Sequence, residues 1–160
     1  MTLLIVGLDL SLRCSGWARL DYESGDLLDA GVITTDTRDP IDVSLRSIAA
    51  AVRDVCRDAA DVFVEQPIAY RSGTATISIA MVHGAARSTL PADLPVVTVG
   101  PTEVKRHATG RGNADKADMR LAAAKRWGQL LTSDEADAAW IADLGRHLIL
   151  AAIGDHPTGA

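Results

Sequence analysis

Four acidic residues, scattered along the chain, stand where a carboxylate needs a reason to be: Asp9, Glu65, Asp134 and Asp137. Asp9 interrupts the apolar run that begins at Leu3. An unpaired carboxylate in such a strand costs several kcal/mol unless a cation or strong donors lie beside it. The plainer alternative is a strand-end aspartate satisfied by loop amides. Glu65 repeats the situation at the end of Val62-Phe63-Val64. Asp134 and Asp137, three residues apart at the start of an expected helix, share one helical face. Acids near a helix N-terminus commonly complement its dipole. That accounts for Asp134 and Glu135, but poorly for Asp137, after which the sequence turns strongly apolar (Ala138 to Ile141). Carboxylates from two strands and a helix start, gathered at one sheet edge, make a hard-oxygen site for Mg²⁺ or Mn²⁺. Two such ions about 4 Å apart can activate a water and stabilise the leaving oxygen in phosphodiester hydrolysis.

Phosphate chemistry also needs positive charge, and the net charge of −5 looks unfavourable. What matters is where the charge lies. From Pro101 to Arg126 seven basic residues (Lys105, Arg106, Arg111, Lys116, Arg120, Lys125, Arg126) face three acidic ones, a local excess of +4 that leaves −9 for the remainder. Gly110-Arg111-Gly112 reads as a flexible loop, with Asn113 as a cap and Lys116 in the first turn of the helix that follows. A basic loop of this kind beside a metal cluster suits a bound phosphate. Lys125 and Arg126 read better as a solvated helix face. His83, His107, His147 and His156 share no ligand spacing with the acids and read as non-catalytic; Trp17 and Trp140 read as core. Cys14 and Cys56 form neither a metal-ligand spacing nor a disulfide framework.

The elements that must position these groups follow from periodicity. At 160 residues, 48% of them hydrophobic, the chain has the composition of a soluble α/β protein and fits one domain, expected over residues 1–154 with a tail at 155–160. The short N-terminal apolar run cannot span a bilayer and has no secretory-signal features, so a cytoplasmic protein without membrane association is expected. Leu3 to Ser11, Gly16 to Asp21 and Leu27 to Thr34 read as three strands of an antiparallel meander, with turn chemistry at Glu23 to Asp26. Pro40 opens a helix to about Ala60, with Ile41, Leu45, Ile48, Val52 and Val55 at helical spacing. Asp61 to Gln66 is a strand stopped by Pro67. Thr74 to Leu90 is a helix with a small-residue stripe (Ala80, Gly84, Ala85), Pro95 to Val99 a strand, and Asp115 to Trp127 and Thr132 to Ile153 are helices. Thr132 and Glu135 have capping-box spacing. The order βββαβαβαα predicts a mixed five-stranded sheet, antiparallel at first and then parallel, with helices on both faces.

Three segments carry a family resemblance: GLDLSLRCSGWA (Gly7 to Ala18), VFVEQP (Val62 to Pro67) and SDEADAAWIA (Ser133 to Ala142). In order and spacing they resemble the acidic motifs of RuvC-type Holliday-junction resolvases, and the first is particularly similar to phage and prophage members. The resemblance implies an RNase H-like fold in which Asp9, Glu65, Asp134 and Asp137 hold two Mg²⁺ ions, with Mn²⁺ able to substitute and no nucleotide cofactor. It implies a homodimer that nicks four-way or other branched DNA in pairs, leaving 5′-phosphate and 3′-hydroxyl ends. The segment VGPTEVKRHATGRGNADKADM is similar to the family's basic stretch. By position it makes Lys105 and Lys116 the backbone-contacting lysines, with Arg106 and Arg111 as further DNA contacts. After Glu-Gln the family often carries an aromatic at the crossover; here Ile68 is a possible wedge and Tyr70 a possible stacking residue. A relative of the same fold acting on DNA flaps or structured RNA, such as a YqgF-type nuclease, is the nearest alternative. A catalytically inactive branched-DNA-binding module is the non-enzyme one.

Overall fold

The computed structural model describes residues 3–68 and 72–154. Three strands, β1 (Leu4–Asp9), β2 (Cys14–Asp21) and β3 (Leu27–Thr34), form an antiparallel meander; β4 (Ala59–Glu65) and β5 (Val96–Val99) extend it in parallel. The sheet order is β3-β2-β1-β4-β5, so β1 is central and flanked by β2 and β4. The mixed five-stranded sheet expected from the sequence is therefore present. Its helices are α1 (Ile41–Val55), α2 (Gly73–Arg87), α3 (Pro101–Thr109), α4 (Lys116–Trp127) and α5 (Ser133–Gly154).

Strand alternation sorts the core into two layers. Val6, Leu8 and Leu10 of the β1 segment and Val62 and Val64 of β4 pack with Ile48 and Val52 of α1 and Val82 of α2. The intervening positions, Ile5 of β1, Phe63 of β4, and Ala18 and Leu20 of β2, pack on the other face against Ala138, Ile141 and Ala142 of α5. Asp9 and Glu65 fall in the second register, on the α5 side. Helices thus cover both faces of the sheet. The turn after β2 is pinned to this layer by Trp127 Nε1 and Arg126, both donating to the Gly25 carbonyl, and by Arg146 donating to the Tyr22 carbonyl at 2.7 Å.

Three details differ from the sequence reading. The segment after β5 is not all loop: Gly100 leads into Pro101 at the first turn of α3, a helix closed by Gly110 at a φ of 79°. The order is therefore βββαβαβααα. The cap of α4 is Asp115, not Asn113: its carboxylate accepts from Asp118 N at 2.9 Å, and the Asp118 carboxylate accepts from Asp115 N at 3.2 Å. Helix α1 stops at Val55, and β4 starts at Ala59 instead of Asp61, because residues 56–58 form a turn. The small-residue stripe of α2 lies outside the core, with Ala80 and Gly84 facing solvent.

Candidate active site

Pairing geometry brings the first two acids together. Asp9 closes β1 opposite Gly16 of β2, and Leu8 lies beside Val64 in the parallel β1–β4 pair, which leaves Glu65 next to Asp9 at the sheet's C-terminal edge. Helix α5 reaches the same edge because glycines let it. A Cβ on Gly7 would collide with the Ala138 carbonyl, and one on Gly16 with the Asp134 carbonyl. Neither glycine has a positive φ, so the requirement at both is for space. The first turn of α5 is fixed by the expected capping box: Thr132 N donates to Glu135 Oε2 at 2.7 Å, and Glu135 N to Thr132 Oγ1 at 3.3 Å. Asp134 and Asp137 are thereby carried to Asp9.

The electrostatics show how closely these groups feel one another. Burial pushes the Asp9 carboxyl up to about 7, with Glu65, Asp137 and Asp134 adding to the rise and Lys116 opposing it. Asp137 is pushed up to about 6, chiefly by burial, with Lys116 and Lys105 pulling the other way and Asp134 adding to the rise. Glu65 is raised by burial and by Asp137, and lowered by Lys105. Negative charge is therefore in excess, as it would be at a site completed by cations. Cys14 Sγ donates to Asp134 Oδ2 at 3.0 Å, and this bond, more than burial, pushes the thiol up to about 11. The thiol thus stays a protonated donor at neutral pH.

Two adjoining chambers open over the acids and share Asp9, Glu65, Ile68 and Lys116. One, of about 430 Å³, is also lined by Cys14, His83 and Asp134; the other, of about 280 Å³, by Lys105 and Asp137. Among the described residues no three acidic, imidazole or thiol side chains are drawn in closely enough to hold an ion as they stand. The acids surround a space instead of meeting at a point. The set still fits hard divalent ions: every carboxylate is an oxygen donor, and the Asp9 and Asp137 carboxyls stay raised even with Lys116 beside them.

Of the basic residues singled out, Lys105 on α3 and Lys116 at the start of α4 line this cleft. Arg106 is exposed on α3, and Arg111 is exposed and paired with Asp118 at 2.8 Å; neither lines either chamber. Arg111 instead borders a groove between α3 and α4 with Lys125 and Arg126. Ile68, 50% exposed, stands at the mouth of both chambers, and Tyr70 lies outside the described residues. Sequence reasoning missed Cys14 and His83 as cleft residues. Spacing gave no signal for either, because one stands at the start of β2 and the other reaches the site from across the sheet. His107, by contrast, is held away from the acids, its Nε2 2.8 Å from Asp143 Oδ2.

Comparison with known proteins gives a consistent result. The family model described as crossover junction endodeoxyribonuclease RuvC matches residues 5–142. Proteins named crossover junction endodeoxyribonuclease RuvC are similar over most of their length. The one from Gluconobacter oxydans is 30% identical over 123 residues, 73% of each chain, and that from Nitrobacter hamburgensis is 31% identical over 123 residues, 72% of this chain and 71% of the relative. Among solved structures, Thermus thermophilus RuvC in complex with a Holliday junction substrate superposes with a TM-score of 0.80 at 25% identity, covering 95% of this chain and 96% of that one. A second Thermus thermophilus RuvC structure gives 0.77 at 26% identity, over 95% and 97%. Among the described residues no helix is long and apolar enough to cross a membrane.

Proposed function

The chain belongs to the crossover junction endodeoxyribonuclease RuvC family, and we propose that it is a divalent-metal-dependent endonuclease resolving Holliday junctions and related branched DNA. Residues 1–154 act as one nuclease domain in the cytoplasm, cutting by paired nicks that leave 5′-phosphate and 3′-hydroxyl ends. The observation that carries this reading is the convergence of Asp9, Glu65, Asp134 and Asp137, from two strands and one helix, around a cleft bordered by Lys105 and Lys116.

In this reading the four acids hold two Mg²⁺ ions, for which Mn²⁺ can substitute. When bound, such ions supply the charge that activates an attacking water and stabilises the leaving oxygen. The protein's own groups set the geometry. Asp9 and Glu65 are fixed by strand pairing, Asp134 and Asp137 by the capped first turn of α5, and Cys14 orients the Asp134 carboxylate through its thiol bond. Lys105 and Lys116 hold the DNA backbone and offset charge that builds on the phosphate. Arg106 and Arg111 serve DNA farther from the cut, while Ile68 serves the crossover as an apolar wedge and Tyr70 as a stacking residue.

Paired nicking requires two copies. Helix α2 supports a homodimer, since Ile77 (62% exposed) and Met81 (41% exposed) join Ala80 and Gly84 in one solvent-facing stripe of apolar and small residues. The reading is tested by incubating the protein with a labelled four-way junction, a flap and a structured RNA, with and without Mg²⁺. The wild type cuts the junction only with metal, and Asp9→Asn binds it but does not cut. Retained cutting by Asp9→Asn in Mg²⁺ removes Asp9 from the site, and preferential cutting of flap or RNA replaces the substrate.

A further inference from the structure

The larger chamber holds a side chain that the proposed hydrolysis does not use. His83, on the inner face of α2, is only 8% exposed, and what remains of its surface opens into the chamber that also contains Asp9, Glu65 and Asp134. Among the described residues its ring makes no hydrogen bond, nor is it among those with a further partner. Its ring nitrogens are not sealed from solvent, since among the described residues Arg19 Nε is the buried side-chain nitrogen or oxygen that lacks a partner, so a group entering the chamber can take the place of water on them.

The surroundings say what kind of group that is. Leu10, Ile68 and Ile79 form apolar walls in the same chamber, suited to the faces of a flat ring. Lys116 lines both chambers, but its charge is set against the Asp9 and Asp137 carboxylates, and Lys105 stands in the neighbouring chamber with Asp137. Arg13 does line the His83 chamber, but its guanidinium is engaged by the Asp36 carbonyl at 2.6 Å, Ser44 Oγ at 3.2 Å and Thr35 Oγ1 at 3.3 Å. Burial, with Arg87 nearby, lowers the His83 pKa and keeps the ring neutral. A neutral imidazole presents one donor and one acceptor, which complements a base edge better than a phosphate.

We propose that His83 hydrogen-bonds the edge of a nucleobase flanking the scissile phosphate and so sets the base preferred at that position. This inference rests on the nuclease reading above. It gives His83 a role in choosing the cut site, separate from the acids and lysines that serve the reaction itself.

The test uses the full chain in single-turnover cleavage with Mg²⁺, on four-way junctions differing only in the base on either side of the cut. Wild type is expected to favour one base at one of these positions by roughly five- to tenfold, the value of one such hydrogen bond. His83→Leu, which refills the space without a polar atom, is expected to compress that preference to within about twofold by slowing the best junction toward the rate of the others; His83→Gln, which keeps a donor and an acceptor, retains a preference. An abasic residue at the preferred position is expected to slow the wild type as much as a wrong base does, a result that needs no folded variant. The proposal is overturned if His83→Leu folds and keeps the wild-type preference, if it slows every junction by the same factor, or if abasic residues at both flanking positions leave the wild-type rate unchanged. A wild type that cuts no branched DNA overturns the nuclease reading along with it.

Discussion

Replacing Gly16 by alanine tests how α5 delivers its acids. A Cβ built on Gly16 lies 2.5 Å from the Asp134 carbonyl carbon, whereas carbons in ordinary contact sit about 3.5–4.0 Å apart. The first turn of α5 must therefore retreat by about 1 Å, taking Asp134 and Asp137 with it. A displacement of that size at reacting groups costs on the order of 10²-fold in rate. The accompanying overpacking is expected to cost about 1–3 kcal/mol of stability. Single-turnover cleavage of a labelled four-way junction in Mg²⁺ measures the first effect and urea unfolding the second. Val62→Ala, a fully buried change on the opposite face of the sheet, supplies a control of similar destabilisation without displacing α5. Gly16→Ala is expected to lose about 10²-fold in cleavage at a temperature where both variants are folded, and Val62→Ala only a few-fold. Should Gly16→Ala cut within threefold of wild type, or lose no more than Val62→Ala, the close approach of helix to strand does not align the acids.

Three further outcomes follow from the same geometry. Because the folded Asp9 carboxyl titrates at about 7 against an ordinary value of 3.8, its contribution to stability is whole below pH 4 and is lost as pH rises through 7. Metal-free protein should therefore lose up to about 4 kcal/mol between pH 4 and pH 8, a loss that Mg²⁺ or Asp9→Asn suppresses in thermal melts. Lys116→Ala removes a cation that opposes the raised carboxyls of Asp9 and Asp137, and should lower cleavage by about 10²-fold while junction affinity, followed by fluorescence anisotropy, changes much less. Glu135→Ala breaks the side chain's bond to Thr132 N and should cost about 1 kcal/mol in urea unfolding, with faster amide exchange confined to the first turn of α5.

The acids were legible because each broke a local pattern: Asp9 and Glu65 interrupt apolar strands, and Asp137 precedes an apolar helical run. The strands were legible for a related reason, since their alternation and turn residues are local signals. Helix α3 was not. A glycine-proline pair after a short strand reads as a loop start, and only the packed Val104 shows what the nine residues gain by coiling. Asn113 and Asp115 are both good caps, and the choice between them falls to Asp118, which completes the reciprocal pair with Asp115. The lysines show a further limit. Lys105 and Arg106 are adjacent in sequence, but they leave α3 in directions about 100° apart, so one meets the acids and the other meets solvent. The solvent-facing side of α2 is similarly invisible in a small-residue stripe, which reads the same on either face.

Helix α5 carries two of the acids in its opening turns, while its middle, from Ala136 through Gly145, runs buried across the sheet. Its amides should be among the last in the molecule to exchange with solvent. On heating, loss of cutting and loss of the native sheet should then trace a single curve, with no milder temperature at which the protein stays folded but idle.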